Sequence, residues 1–264
     1  MIDYHIHTKL CGHAFGEMED FVQHAVRVGL QEIGFSDHLP MIKWANPEYA
    51  MAFEQLPEYI QEVHRLQQAY PHFSLKLGIE ADYYSHNEEQ ALSDLLSQYP
   101  FDYVYGSVHF VNGWAIDDAR NFQRWEESDI DQIYEQYFTQ LQCAASSDLV
   151  DIISHTDLVK KFGHRPSKEM TPLIEETIRV YKQHGMVVEI NSSGLRKPVN
   201  EIYPAPHIIQ LLKEYDVPIV FGSDAHKPEE VGQDFEYLRT LVKDCGYKEL
   251  VILTQREIVN TYPL

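Results

Sequence analysis

The 264-residue sequence predicts an α/β fold, a parallel (β/α) barrel of seven strands with its functional site at the C-terminal strand ends. Three observations lead there. Short β-like runs alternate with helical patterns along the whole chain. Nearly every such run ends in a side chain of a type that binds metals. No glycine-rich dinucleotide loop follows the first run, as it would in an open doubly wound sheet of the nucleotide-binding kind.

The chain opens with an apolar start that alternates into His5 and His7. Residues i and i+2 of a strand point to one side, so both imidazoles project together from strand one, and His13 can fold back from the next loop. Residues 17–29 read as an amphipathic helix on Phe21, Ala25, Val26 and Val28, closed by Gly29. Strand two is expected at 32–38, then a long aromatic and polar loop over 40–57 and a helix over 58–70. Strand three falls at 74–82 and a helix at 88–98. Strand four falls at 101–110, followed by a loop with Gly113 and Trp114 and a long helix at 129–145. Strand five (150–155), a helix (170–184), strand six (185–191), a helix (205–215) and strand seven (218–224) follow. A helix near 234–245 and an apolar run at 250–254, a candidate eighth strand, complete the chain. No internal repeat, low-complexity segment or linker divides it, so residues 1–264 read as a single domain.

A hydrophobic fraction of 44% suffices for one large core, and the net charge of −20 argues against nucleic acid or an acidic membrane surface as partner. A small anionic substrate stays compatible, because bound metal ions invert the local field. Cys11, Cys143 and Cys245 are scattered and odd in number, which fits a reducing compartment. No signal segment and no apolar run of about 20 residues is present, so the expectation is a soluble, cytoplasmic protein. Nothing in the sequence fixes an oligomeric state.

The informative fact is where the polar residues fall. Strand one ends in His5 and His7, strand two in Asp37 and His38, strand three in Glu80, and strand four in His109. Strand five ends in His155 with Asp157 just after, strand six in Asn191, and strand seven in Asp224 and His226. Seven of the 14 histidines, His13 included, sit at such places, where barrel side chains converge on one mouth. Ser36, Gly78, Ser107 and Gly222 stand two residues before a ligand and would leave room beneath the cluster; Ile153 breaks that pattern. His5, His7, His13, His38, Glu80, His109, His155, Asp224 and His226 are too many ligands for one ion. With a bridging carboxylate and a bridging water they would serve two or three divalent transition metals (Zn, Fe or Mn), an arrangement suited to phosphoester hydrolysis.

The motifs DYHIHT, CGH, FSDH, GIEAD, GSVHF, SHTD and GSDAH, in that order from Asp3 to His226, resemble the PHP (polymerase and histidinol phosphatase) superfamily. The resemblance implies a distorted seven-stranded, TIM-like barrel with a trinuclear metal centre. It implies one ion held by His5, His7, Glu80 and Asp224, a second bridged by Glu80 and held with His109 and His155, and a third held by His13, His38 and His226. Chain length, the lack of a polymerase domain and the segments KFGHRP (161–166) and NSSGLRKP (191–198) are most similar to the monofunctional histidinol-phosphate phosphatases. The implied reaction is hydrolysis of L-histidinol phosphate to L-histidinol and phosphate, by attack of a metal-bridging hydroxide on phosphorus without a phosphoenzyme.

Arg165 and Arg196 follow strands five and six, where guanidinium forks can meet phosphate oxygens. Asp157 is a candidate proton donor to the leaving group, or a partner that orients His155; Asp37 stands in the same relation to His38. His164 is a weaker candidate for substrate contact, and Asp117, Asp118 and Trp114 are loop residues able to meet a cationic substrate, or equally to pack the loop. His24, His64, His72, His86, His184 and His207 read as structural or surface residues. Competing readings are a phosphoesterase for another small ester or nucleotide, an amidohydrolase-type deaminase, and a barrel that binds metal without catalysis. The deaminase reading lacks a suitable lysine at a strand end, and the intact ligand positions with both arginines count against the non-catalytic one.

Overall fold

In the computed structural model, which describes residues 1–43 and 46–264, seven parallel strands form the sheet that the sequence predicts. Trp44 and Ala45, within the expected 40–57 loop, lie outside the described residues. The elements run β1 (Ile2–Asp3), α1 (Met18–Arg27), β2 (Glu32–Phe35), α2 (Leu56–Ala69), β3 (Ser74–Asp82), α3 (Glu89–Leu96) and β4 (Tyr103–Ser107). Then come β5 (Phe110–Val111), β6 (Trp114–Ala115), α4 (Phe122–Glu127), α5 (Ile130–Ser146), β7 (Ile152–Ile153), α6 (Thr171–Gln183) and β8 (Val187–Asn191). The chain ends with α7 (Pro206–Glu214), β9 (Ile219–Gly222), α8 (Phe235–Asp244), β10 (Glu249–Thr254) and β11 (Glu257–Pro263).

The sheet order is β1-β2-β3-β4-β7-β8-β9. The seam between β9 and β1 closes through single backbone bonds: Tyr4 N donates to Phe221 O at 3.1 Å, His7 N to Ala225 O at 2.9 Å and Ala225 N to His5 O at 3.2 Å. Beneath the seam, the buried Asp3 carboxylate accepts from the Ser223 and Gly232 amides, both at 2.9 Å. The first and last strands are thereby locked with their C-terminal residues side by side. The barrel and its ring of helices match the expected fold class.

Four local expectations are corrected. The apolar run at 250–254 does not enter the barrel: β10 pairs antiparallel with β11, and Gln255 and Arg256 turn the hairpin at φ +52° and +66°. The direct β9–β1 seam leaves no gap for an eighth strand. Helix α1 buries Met18, Phe21, Val22 and Ala25, whereas Val26 and Val28 are about half exposed. The helical repeat from Phe21 runs through Val22 and Ala25, on the same side as Met18. The expected loop at Gly113-Trp114 is the β5–β6 hairpin. Finally, the space below the ligand strands is filled. A Cβ on Gly34 or Gly78 would come within 2.9 Å of the Tyr103 ring, and Tyr103 Oη donates to the Tyr4 carbonyl at 2.7 Å. Tyr103 also stacks on Tyr4 with centroids 4.8 Å apart, so the glycines make room for an aromatic plug.

Candidate metal centre

The strands end by handing their ligand residues to one point. β1 and β7 are only two residues long, and past them the chain leaves regular pairing to deliver His5, His7 and His155. The β2–β3 pairing runs to Phe35–Leu77, and the isolated parallel bridge His38–Glu80 keeps the same register beyond it. All nine sequence-predicted ligands meet there.

Glu80 is the hub. It is buried, with Oε1 3.2 Å from His155 Nε2 and 3.7 Å from His109 Nε2. Its Oε2 lies 3.1 Å from His38 Nδ1, 3.4 Å from His5 Nε2 and 3.6 Å from His7 Nε2. His7 Nε2 also faces Asp224 Oδ1 at 3.2 Å. On the outer side, the His7, His13 and His226 rings lie together, with centroids 4.2 Å apart for His7–His226 and 4.8 Å for His13–His226. The His38 ring stands between the two sides, 4.5 Å from His7 and 5.4 Å from both His13 and His109.

The donor set fits divalent metal. His5 Nε2 and Glu80 Oε2 are buried without a hydrogen-bond partner, although they lie 3.4 Å apart. Two groups that close would pair if aligned on each other; they are aimed elsewhere, at a shared space. The opposite ring nitrogens are held from outside. His5 Nδ1 meets Glu189 Oε1 at 2.6 Å, His109 Nδ1 meets Asp82 Oδ1 at 2.8 Å, and His155 Nδ1 meets Ser154 Oγ at 3.2 Å. His13 Nδ1 lies 2.9 Å from Cys11 O, and His226 Nδ1 lies 3.0 Å from Asp224 O. A donated Nδ1–H leaves the Nε2 lone pair free for a cation. His109 Nε2 and His155 Nε2 face each other at 3.3 Å, as two such lone pairs converging on one ion would.

The electrostatics agree. Burial, with the neighbouring imidazoles adding to it, holds His38 and His226 well below the ordinary histidine pKa, so both keep a lone pair. Burial also opposes the charged form of His5, but Glu189, Glu80 and Asp224 outweigh it and raise that pKa. For Glu80 burial favours protonation, yet His38, His5 and His109 prevail and hold the carboxylate ionised. Asp224 is likewise held ionised by His5, His7 and His226 against the effect of burial.

Above the cluster opens a cavity of about 390 Å³. His7, His38, Glu80, His109, His155 and Asp224 form its floor, while His5 lies fully buried beneath. Asp117, Asp118, Lys161 and Lys197 are on its walls. Asp117 pairs with Lys161 at 3.1 Å, and Asp118 pairs with Arg120 at 2.7 Å. Trp114 packs edge-on with Trp125, and His164 stacks on Trp125, and neither lines the cavity.

The remaining predicted residues stand apart from the cavity lining. Arg165 is half exposed and its Nη2 donates to Glu201 Oε2 at 3.0 Å. Arg196 Nη2 donates to the Ser223 carbonyl at 2.6 Å, next to Asp224. Asp157 does not reach the His155 ring. The chain turns into a short helical turn at Leu158–Lys160, and Asp157 Oδ2 takes Lys160 Nζ at 2.8 Å and the Ala205 amide at 2.9 Å. Asp37 accepts from the Thr8 hydroxyl and from the His38 amide, bracing the ligand strands instead of facing the cavity. None of His24, His64, His72, His86, His184 and His207 joins the cluster.

Sequence reasoning missed Glu189, Asp82, Lys161 and Lys197. The signals were present: Glu189 is the one carboxylate in the apolar run at 185–191, and Asp82 is two residues beyond Glu80 on the same strand face. Glu189 also accepts the His155 amide at 2.8 Å and the Asn191 side-chain amide at 3.0 Å.

The comparisons agree with this geometry. The PHP-domain model matches residues 3–193, and a PHP-associated model matches residues 207–235. A probable histidinol-phosphatase of Deinococcus radiodurans is 38% identical, over 93% of this chain and 94% of its own. The histidinol-phosphatase of Bacillus subtilis is 29% identical, over 89% of this chain and 96% of its own. The crystal structure of the Lactococcus lactis histidinol phosphate phosphatase, in complex with zinc, L-histidinol and phosphate, shares the fold at TM-score 0.85 and 22% identity, covering 98% of both chains. With the nine candidate ligand residues at one barrel mouth, this chain belongs to the PHP-domain family.

Proposed function

We propose that the protein is a metal-dependent phosphomonoesterase that hydrolyses L-histidinol phosphate to L-histidinol and phosphate, with the whole of residues 1–264 as one catalytic unit. The observation that carries the reading is Glu80, whose two oxygens face separate histidine sets on the floor of an open cavity. That is the arrangement of a carboxylate shared between neighbouring ions. Relatives named as histidinol-phosphatases, matched over nearly their full length, set the substrate.

His5, His7, Glu80 and Asp224 would hold one ion, Glu80, His109 and His155 a second, and His13, His38 and His226 a third, drawn from Zn, Fe or Mn. Bound ions would supply Lewis acidity to the phosphoryl oxygens and to the attacking water. The protein's own residues do the rest. Glu189 and Asp82 fix the tautomers of His5 and His109. Arg165 and Arg196 supply positive charge at the rim for the incoming phosphate. Asp157 serves as a positioning residue: it holds Lys160, Lys160 holds Glu201 at 2.8 Å, and Glu201 holds Arg165.

The test is phosphate release from L-histidinol phosphate by protein stripped with a chelator and then reloaded with zinc, iron or manganese, with bound metal counted by elemental analysis. Activity that returns with the metal supports the reading. A fully loaded protein without activity on this ester contradicts it.

A further inference from the structure

Among the described residues, three cationic side chains line the cavity: Arg120, Lys161 and Lys197. Two of them are neutralised where they stand. Arg120 is held by Glu48 at 2.6 Å and by Asp118 at 2.7 Å. Lys161 is held by Asp117 at 3.1 Å. Lys197 is different: its Nζ has no hydrogen bond and no ion pair among the described residues.

Local structure explains how it comes to be there. The short helical turn Ser193–Arg196 follows β8, and Ser193 Oγ donates to Asp224 Oδ2 at 2.9 Å. The turn is thus fastened to Asp224, just beyond β9, and Lys197, the residue that caps it, is brought to the cavity wall. The charges that act on Lys197 are Asp224 and Glu230 on one side and Lys161 and Arg196 on the other. Asp224 belongs to the ligand cluster, so bound ions take up its charge. A half-buried ammonium would then face cations with only Glu230 opposing them and no ion pair of its own, a costly state that a phosphate dianion relieves.

We propose that Lys197 Nζ directly contacts an oxygen of the substrate's phosphoryl group and is the mouth cation kept free for it. This rests on the phosphomonoester reading above and adds a residue to it. Arg165 and Arg196 are already engaged with Glu201 and the Ser223 carbonyl and must first let go to reach phosphate; Lys197 need break nothing. Burial lowers the Lys197 pKa from the usual lysine value, with Lys161 and Arg196 adding to it against Asp224 and Glu230.

The experiment is calorimetric titration of inorganic phosphate into the zinc-loaded protein, wild type against Lys197→Met and Lys197→Arg, with bound zinc counted in each. A lost charge-assisted hydrogen bond predicts that Lys197→Met weakens phosphate binding on the order of tenfold or more at unchanged zinc content, and that Lys197→Arg restores most of it. Phosphate affinity within about twofold of wild type in Lys197→Met would overturn the assignment. Phosphate binding requires no turnover, so the result stands whether or not L-histidinol phosphate is the substrate. Reductive methylation of the wild type reads the same contact without a variant. Phosphate should slow labelling of Lys197 and leave exposed Lys9 unaffected; equal labelling of Lys197 with and without phosphate would count against the contact.

Discussion

Glu189 Oε1 meets His5 Nδ1 at 2.6 Å in a fully buried contact, and the Glu189 side chain occupies the space that Gly222 leaves open. A carboxylate in that position fixes the His5 tautomer and raises the basicity of its Nε2. Glu189→Gln keeps the shape and removes the charge. It should lower metal affinity by about 10- to 100-fold in a chelator competition, with the fold intact by circular dichroism. Unchanged affinity would show that His5 needs no anionic partner.

Gly222 depends on the same contact. A Cβ there would stand 1.8 Å from Glu189 Oε1 and 2.7 Å from His5 Cβ. Gly222→Ala must therefore displace both. The expected outcome is a loss of about 1–3 kcal/mol in chemical denaturation together with reduced metal content. Wild-type stability and metal content in this variant would mean that the β8–β9 contact is slack.

Much of the candidate metal centre was legible in the sequence because ligand-type residues and strand ends coincide. The i, i+2 pairing of His5 and His7 and the endings of the later runs needed only the pleat and the barrel rule, and all nine residues converge as expected. What supports them was harder to see. Glu189 lies inside an apolar run, and only tertiary structure shows that its side chain passes Gly222 to reach His5. Of the glycines read as room beneath the cluster, Gly78 makes way for Tyr103, which arrives from another strand, and Gly222 for Glu189. Arg165 and Arg196 show the limit of placement by loop. Both follow mouth-facing strands, but whether a long side chain faces the cavity or a local acceptor is decided by neighbours such as Glu201, far away in sequence. The run at 250–254 has every local mark of a strand; its partner is the adjacent hairpin arm, a choice that composition does not encode.

Asp157 and Lys160 form a buried pair at 2.8 Å, and Asp157 also accepts the Ala205 amide. Asp157→Asn should leave Lys160 short of charge and cost about 3 kcal/mol, a fall on the order of 10 °C in Tm, since Glu201 compensates only in part. Loss of activity should follow loss of stability. Unchanged Tm with collapsed kcat would instead make Asp157 the proton donor.

Removing the metals should destabilise the protein, because the converging imidazoles and carboxylates then face one another without a cation. An ion that binds only the folded state contributes about 2.7 kcal/mol at a hundredfold excess over its Kd. A chelator should therefore lower Tm, and zinc should restore it. Equal Tm with and without chelator would contradict a metal centre built from these residues.

Phosphate binding should fall on the alkaline side. Burial lowers the Lys197 pKa from 10.5, with Asp224 partly opposing. Above its pKa the amine is neutral and loses its attraction for phosphate. Affinity should hold below that value and drop as pH rises through it, earlier than for an ordinary lysine. Lys197→Arg, which does not titrate there, should abolish this step; its persistence would assign the step to another group.

The most direct test of the central claim compares phosphate release from L-histidinol phosphate, a nucleoside monophosphate and an aryl phosphate at equal concentration by the metal-replete protein. A strong preference for L-histidinol phosphate in kcat/KM is the predicted result. Similar slow turnover of all three would keep the phosphoesterase chemistry and contradict the substrate.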